Sequence, residues 1–116
     1  MSWLVSAHPE FNNWLLSLES EERIEISANI ELLKELGPHL GRPTVDHVKG
    51  SKFKNMKELR IQHKGKPWRI LFAFDPRRSA ILLVGGNKGG DDRWYKKNIP
   101  IADARFAEHL KEQGKE

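Results

Sequence analysis

Three strand-type segments follow one another between residues 57 and 86, separated only by short polar breaks, and that spacing leaves few folds open. They are "KELRIQH", "WRILFAFD" and "AILLVGG", joined by "KGKP" and by the turn signal "DPRRS". Breaks this short cannot hold a crossover helix, so the segments must lie antiparallel to one another as a meander. The first alternates, with Leu59 and Ile61 on one face and Glu58, Arg60 and Gln62 on the other. In the second, Trp68, Ile70, Phe72 and Phe74 share a face, and Arg69, Leu71 and Ala73 share the opposite one. The third is apolar on both faces, as a central strand would be. Arg60 and Arg69 therefore point away from the bulky apolar faces, and antiparallel pairing brings both to a sheet face that stays partly open. A slip of one residue would undo that placement.

The segments before the meander read as a short strand and a helical hairpin. "WLV" at 3–5 is the strand; Ser6 or His8 then caps a helix with Pro9 in its first turn and Phe11, Trp14, Leu15 and Leu18 on one face. Ser20, with Glu21 and Glu22 in the first turn, opens a second helix. Its stripe is Ile26, Ile30, Leu33 and Leu36, widened by Ile24, Ala28 and Leu32, and Gly37-Pro38 stops it. "GRPTVDHVKGSKFKNMK" is an irregular, partly extended connector. Pro100 is expected to start a final helix with Ala104, Ala107, Phe106 and Leu110 inward. The expectation is an α+β single domain over residues 1–116: a strand and two-helix hairpin packed on an antiparallel sheet, then a C-terminal helix.

Charge narrows the function. Residues 1–40 carry two basic and seven acidic side chains, a net of −5, whereas residues 41–99 carry fifteen and five, a net of +10. Such a field attracts polyanions, nucleic acid first among them, and its alternative is a solvated lysine-rich surface. No stretch approaches a transmembrane span, and the N-terminus has neither the basic nor the apolar region of a signal peptide. A cytoplasmic location is the expectation. There is no cysteine, hence no disulfide or thiolate metal site.

Few motifs carry chemistry. "GGNKGG" at 85–90 lacks the Lys-Ser/Thr pair of a phosphate-binding loop and reads as a flexible turn that lets Lys88 swing over a ligand. His8, His39, His47, His63 and His109 show no ligand spacing, so neither a metal nor a cofactor is expected. What remains is Lys49, Lys52, Lys54, Lys57, Arg60, Arg69, Lys88, Arg93, Lys96 and Lys97 around Trp94 and Tyr95. Cations take phosphates and an aromatic stacks on an unpaired base, which suits RNA. The set also suits RNA cleavage in which the substrate's 2′-hydroxyl attacks its own phosphate, since the protein then only positions, moves protons and stabilises an anionic phosphorane. Tyr95 reads either as a rim aromatic over the last helix or as a proton-transfer group whose pKa neighbouring cations depress.

The stretch "NMKELRIQHKGKPWRILFAFDPRRSAILLVGGNKGGDDRWYKKNIPIADARFAEHL" resembles the phage-derived HigB-like branch of the RelE/ParE toxin superfamily. The most specific pieces are "KELR", "WRILFAFDP", "LLVGGNK" and the tyrosine of "DRWYKKNIP". The resemblance implies a small microbial-RNase-like (RelE-like) fold and the toxin of a type II toxin–antitoxin pair, an endoribonuclease acting on mRNA at the ribosome. It places the catalytic candidates at Arg60, Arg69, Lys88, Tyr95 and Lys96, where Lys96 occupies the position of a histidine found in some members. Lys49, Lys52, Lys54, Lys57, Arg93, Trp94 and Lys97 become RNA-binding candidates. The implied partners are a helix-turn-helix antitoxin, mRNA and the ribosome, with no membrane; the implied assemblies are a monomeric toxin and a heterotetrameric complex. Two other functions fit the same residues: a ParE-like gyrase inhibitor without nuclease chemistry, and a non-enzymatic basic RNA-binding domain.

Overall fold

A computed structural model describes residues 2–114. In chain order the elements are β1 (Leu4–Ala7), α1 (Pro9–Leu16), α2 (Ser20–Leu36), a 3-10 turn (Gly37–His39), β2 (Val45–His47), β3 (Met56–His63), β4 (Lys66–Asp75), β5 (Ser79–Asn87) and α3 (Trp94–Gly114). The strands form one sheet in the order β1-β5-β4-β3-β2. The meander β3-β4-β5 is antiparallel, as its short links require. β1 adds to β5 in parallel, so the sheet is mixed. That pairing is possible because the whole hairpin, connector and meander intervene between the two strands, far more chain than a parallel crossover needs.

The turns follow from their residues. Lys64 and Gly65 both have positive φ, 52° and 76°, the geometry of a two-residue hairpin loop whose twist matches the strands. Between β4 and β5, Asp75 Oδ1 accepts the Arg77 and Ser79 amides at 2.9 and 3.2 Å, and Arg78 takes the left-handed position at φ 63°. Asp75 also accepts the Ser79 hydroxyl at 2.6 Å, His109 Nε2 at 2.9 Å and Gln113 Nε2 at 3.0 Å, which ties this turn to α3.

Helices cover both sheet faces. On one side, Phe11, Ile26, Ile30 and Leu33 of α1 and α2 pack on Leu59, Ile61, Trp68, Ile70, Phe72 and Leu82. On the other, Trp94, Ile99, Ala102 and Phe106 of α3 pack on Met56, Leu71, Ala73, Ile81 and Leu83. The alternation in β3 and β4 is therefore as expected from sequence. β5 departs from it: Leu71 pairs with Val84 but Phe72 with Leu82, so Leu83 is an extra, bulged residue. Past the bulge the parity flips, and Gly85 faces α1 while Gly86 faces α3. A Cβ on Gly85 would overlap the Trp14 ring, and one on Gly86 would lie 2.6 Å from Trp94 Nε1. These two glycines are seats for tryptophans inside a strand and no part of a flexible turn.

The last helix corrects two expectations. It begins at Trp94, six residues before Pro100, because Asp91 starts it: its carboxylate accepts the Arg93 amide at 3.0 Å and its carbonyl the Trp94 amide at 3.3 Å. Pro100 lies inside the helix on an exposed face, and the Lys96 carbonyl loses its usual amide partner. The helical phase set by Trp94, Ile99, Ala102 and Phe106 turns Ala104 and Ala107 outward. In α2 only Ile26, Ile30 and Leu33 of the expected stripe are buried; Ile24, Leu32 and Leu36 are exposed. Among the described residues no helix is long and apolar enough to cross a membrane.

Candidate active site

α3 stops short of covering the whole of its sheet face, and the uncovered part is polar. Arg60 on β3 and Arg69 on β4 are directly paired in register, side by side on this face. Two residues along β3, on the same side, Glu58 is buried, with 3% of its surface exposed. A buried carboxylate needs partners, and here it has three. Its Oε1 accepts the Tyr95 hydroxyl at 2.5 Å, its Oε2 accepts Arg60 Nε at 3.0 Å, and Arg69 Nε lies 3.6 Å from Oε1. Arg69 Nε also donates to the Tyr95 oxygen at 3.3 Å, and its Nη1 to the Trp68 carbonyl at 3.0 Å. Nη2 of Arg69 has no hydrogen-bond partner among the described residues, so it is free to meet an anion. Arg60 reaches further to Asp46 on β2, 3.3 Å away.

Tyr95 is held by its neighbour. Trp94 is buried against Gly86, which fixes the first turn of α3 and aims the next side chain at the sheet. Burial pushes the Tyr95 pKa up and the hydrogen bond to Glu58 pushes it further, against a smaller opposing pull from Arg69. The expectation that cations depress it is thereby overturned: the carboxylate between them outweighs the arginine. Tyr95 is a neutral phenol, suited to giving a proton rather than taking one.

The other candidates divide. Lys88 Nζ stands 5.9 Å from the Tyr95 ring centroid, at the edge of the site. Its loop is tethered: the Lys88 amide donates to the Pro67 carbonyl at 3.0 Å, the Gly89 amide to Asn87 Oδ1 at 2.9 Å and the Asp91 amide to the Lys88 carbonyl at 3.1 Å. Lys49, Lys52 and Lys96 rim a cleft beside Tyr95, between the connector and α3. Lys54 is exposed in the turn before β3. Arg93 and Lys97 are exposed, with Lys97 Nζ held by Asp91 at 2.8 Å. Two assignments fail. Trp94 is a core residue and cannot stack on a base. Lys57 lies one residue out of phase with Glu58 and Arg60, so strand alternation puts it on the opposite sheet face. Glu58 was missed, although its place beside Arg60 in "KELR" was the available signal.

A family model described as phage-derived protein Gp49-like (DUF891) matches residues 13–107. The chain is 52% identical over 98 residues to HigB3, a candidate toxin of Mycobacterium tuberculosis H37Rv, with 84% of each chain covered. It is 54% identical over 99 residues to the candidate toxin HigB2 of the same organism, covering 84% of this chain and about half (49%) of that protein's length. An arginine double mutant of Escherichia coli toxin RelE in the free state superposes with TM-score 0.61 at 11% identity, over 90% of this chain and 98% of that one. RelE of the archaeal RelE–RelB complex from Pyrococcus horikoshii gives 0.56 at 15% identity, over 78% and 99%. The chain belongs to the phage-derived Gp49-like family, is similar to HigB toxins along most of its length, and is built on the RelE fold.

Proposed function

We propose that this chain is the toxin of a toxin–antitoxin pair and cleaves RNA by transesterification, with ribosome-bound mRNA as its substrate. The observation that carries the reading is the Glu58–Tyr95–Arg69 group. A surface that only bound nucleic acid would have no use for a buried carboxylate hydrogen-bonded to a high-pKa phenol beside a half-free guanidinium. The names of the relatives and the RelE fold support the toxin assignment, and the RelE–RelB complex supports an antitoxin as partner.

In this reading the substrate enters between Glu58 and Tyr95 and separates them. The 2′-hydroxyl gives its proton to Glu58 and attacks the adjacent phosphorus. The bond to the 5′ oxygen breaks as that oxygen takes the Tyr95 proton, leaving a 2′,3′-cyclic phosphate and a free 5′-hydroxyl. Arg69, with Nη2 unengaged, and Lys88 stabilise the charge that builds on the phosphorane oxygens. Arg60 orients Glu58. Lys96, at the rim, serves substrate binding.

Induced expression followed by primer extension on cellular mRNA tests the reading, with plasmid supercoiling measured on the same cultures. Discrete mRNA ends that vanish in Arg69→Ala are expected, with supercoiling unchanged. Lost supercoiling without mRNA cuts would replace this reading by gyrase inhibition.

A further inference from the structure

Tyr95 is the shared wall of two sites. Its hydroxyl belongs to the polar group described above, and its other side lines a cleft of about 620 Å³ between the β2–β3 connector and α3. The cleft is lined largely by carbon, from Phe53, Ile99, Pro100 and the outward-turned Ala104 and Ala107. Three cations, Lys49, Lys52 and Lys96, stand around it. The connector wall is firmly built: buried Asp103 accepts the Ser51 hydroxyl at 2.5 Å and the Lys52 amide at 2.9 Å, and Ser51 Oγ accepts the Phe53 amide at 3.0 Å. Phe53 is braced edge-on against Phe106, ring centroids 4.8 Å apart.

We propose that this cleft is a nucleobase subsite, holding the base of a nucleotide next to the phosphate that Arg69 and Tyr95 bind. An apolar chamber with an aromatic wall accepts the flat face of an unpaired base, and a cationic rim accepts the phosphates on either side of it. An apolar peptide alone would leave the lysines unmatched. The volume is that of a small-molecule site rather than a peptide groove. The assignment rests on the RNA reading of the adjoining site and adds a place where base identity is read.

The test uses amide NMR of the full chain with a dinucleotide made non-cleavable by 2′-O-methylation, beside the same probe lacking one base. Saturable shifts at Gly50, Lys52, Phe53 and Ala104 are expected with the intact probe, and roughly tenfold weaker binding with the abasic one. Ala104→Trp and Ala107→Trp, at exposed helix positions that tolerate bulk, should fill the cleft and give the same weakening while the rest of the spectrum persists. Equal affinity for both probes, or undiminished binding by both tryptophan variants, would overturn the proposal. So would cleft shifts evoked by a co-expressed antitoxin and not by the dinucleotide, which would make the cleft a protein groove. Base-dependent shifts in a chain that cuts no mRNA in cells would leave the subsite standing and remove the nuclease reading; mRNA cuts without cleft shifts would do the reverse.

Discussion

The Tyr95 hydroxyl donates to Glu58 across 2.5 Å, joining the first turn of α3 to the centre of β3. Tyr95 is the chain's one tyrosine, so its ionisation can be followed directly by ultraviolet absorbance. The midpoint should lie above the ordinary phenol value of about 10. Glu58→Gln removes the negative neighbour and should bring it down. The sign for stability follows: the folded chain holds this proton more tightly than the unfolded one, so stability is intact below about pH 10 and falls as pH rises from there to the folded midpoint. Tyr95→Phe should keep the fold and abolish cleavage. A fully active phenylalanine variant would reduce Tyr95 to a platform, and His63 could not replace it, being on the α2 side with Glu21 3.8 Å away.

The cations should separate by role. Arg69→Ala should cost about 3 kcal/mol in the transition state, roughly a hundredfold in rate, measured as initial cleavage of ribosome-bound mRNA. Arg60→Ala should act through Glu58. Deprived of its Oε2 donor, the buried carboxylate is no longer held in place, so the rate should fall and Arg60→Lys should restore part of it. Lys57→Ala should change neither rate nor salt dependence, since Lys57 lies on the other side of the sheet. A large Lys57 defect would overturn the β3 register.

Gly85→Ala should destabilise the fold by about 1–3 kcal/mol, because the new methyl must displace the Trp14 ring from the strand. Phe72→Ala, a cavity at a position with no exposed surface, should cost about 3–5 kcal/mol. Urea denaturation reads both. Combining Gly85→Ala with Trp14→Ala should recover part of the first loss, whereas Phe72→Ala has no such rescue.

Acid should loosen the β4–β5 turn late. Burial raises the Asp75 pKa, but the Ser79 hydroxyl, His109 and two backbone amides outweigh it and hold the carboxyl at about 2, below its usual 3.8. The resulting stability, about 2 kcal/mol, is present above pH 3.8 and is lost as pH falls through about 2. In Asp75→Asn the acid-unfolding curve should be flatter over that window.

Much of this was legible because β-strands declare their faces. The alternation in "KELRIQH" and "WRILFAFD" brought Arg60 and Arg69 together correctly, and they prove to be register partners. Other features depended on partners distant in sequence. The bulge at Leu83 reverses the side that Gly85 and Gly86 face, and no local pattern announces it. Trp94 looked like a surface aromatic among cations; only Gly86, across a tertiary contact, explains its burial. Pro100 resembled a helix start because its capping context is permissive, but Asp91 had already supplied one. Glu58 lay in plain view, yet a carboxylate among cations reads as charge balance until its burial is known.

Trp94 and Tyr95 are consecutive, one anchored in the core and the other delivered to Glu58, so the proposed site inherits the lifetime of a single helical turn. Helix ends open on smaller excursions than the middle strands of a sheet do. Each such opening would withdraw the phenol while β3 and β4 kept both arginines and the carboxylate in register. Under the nuclease reading proposed above, the chain would then be folded and chemically silent at once. How often it is silent depends on how well one indole sits on one glycine.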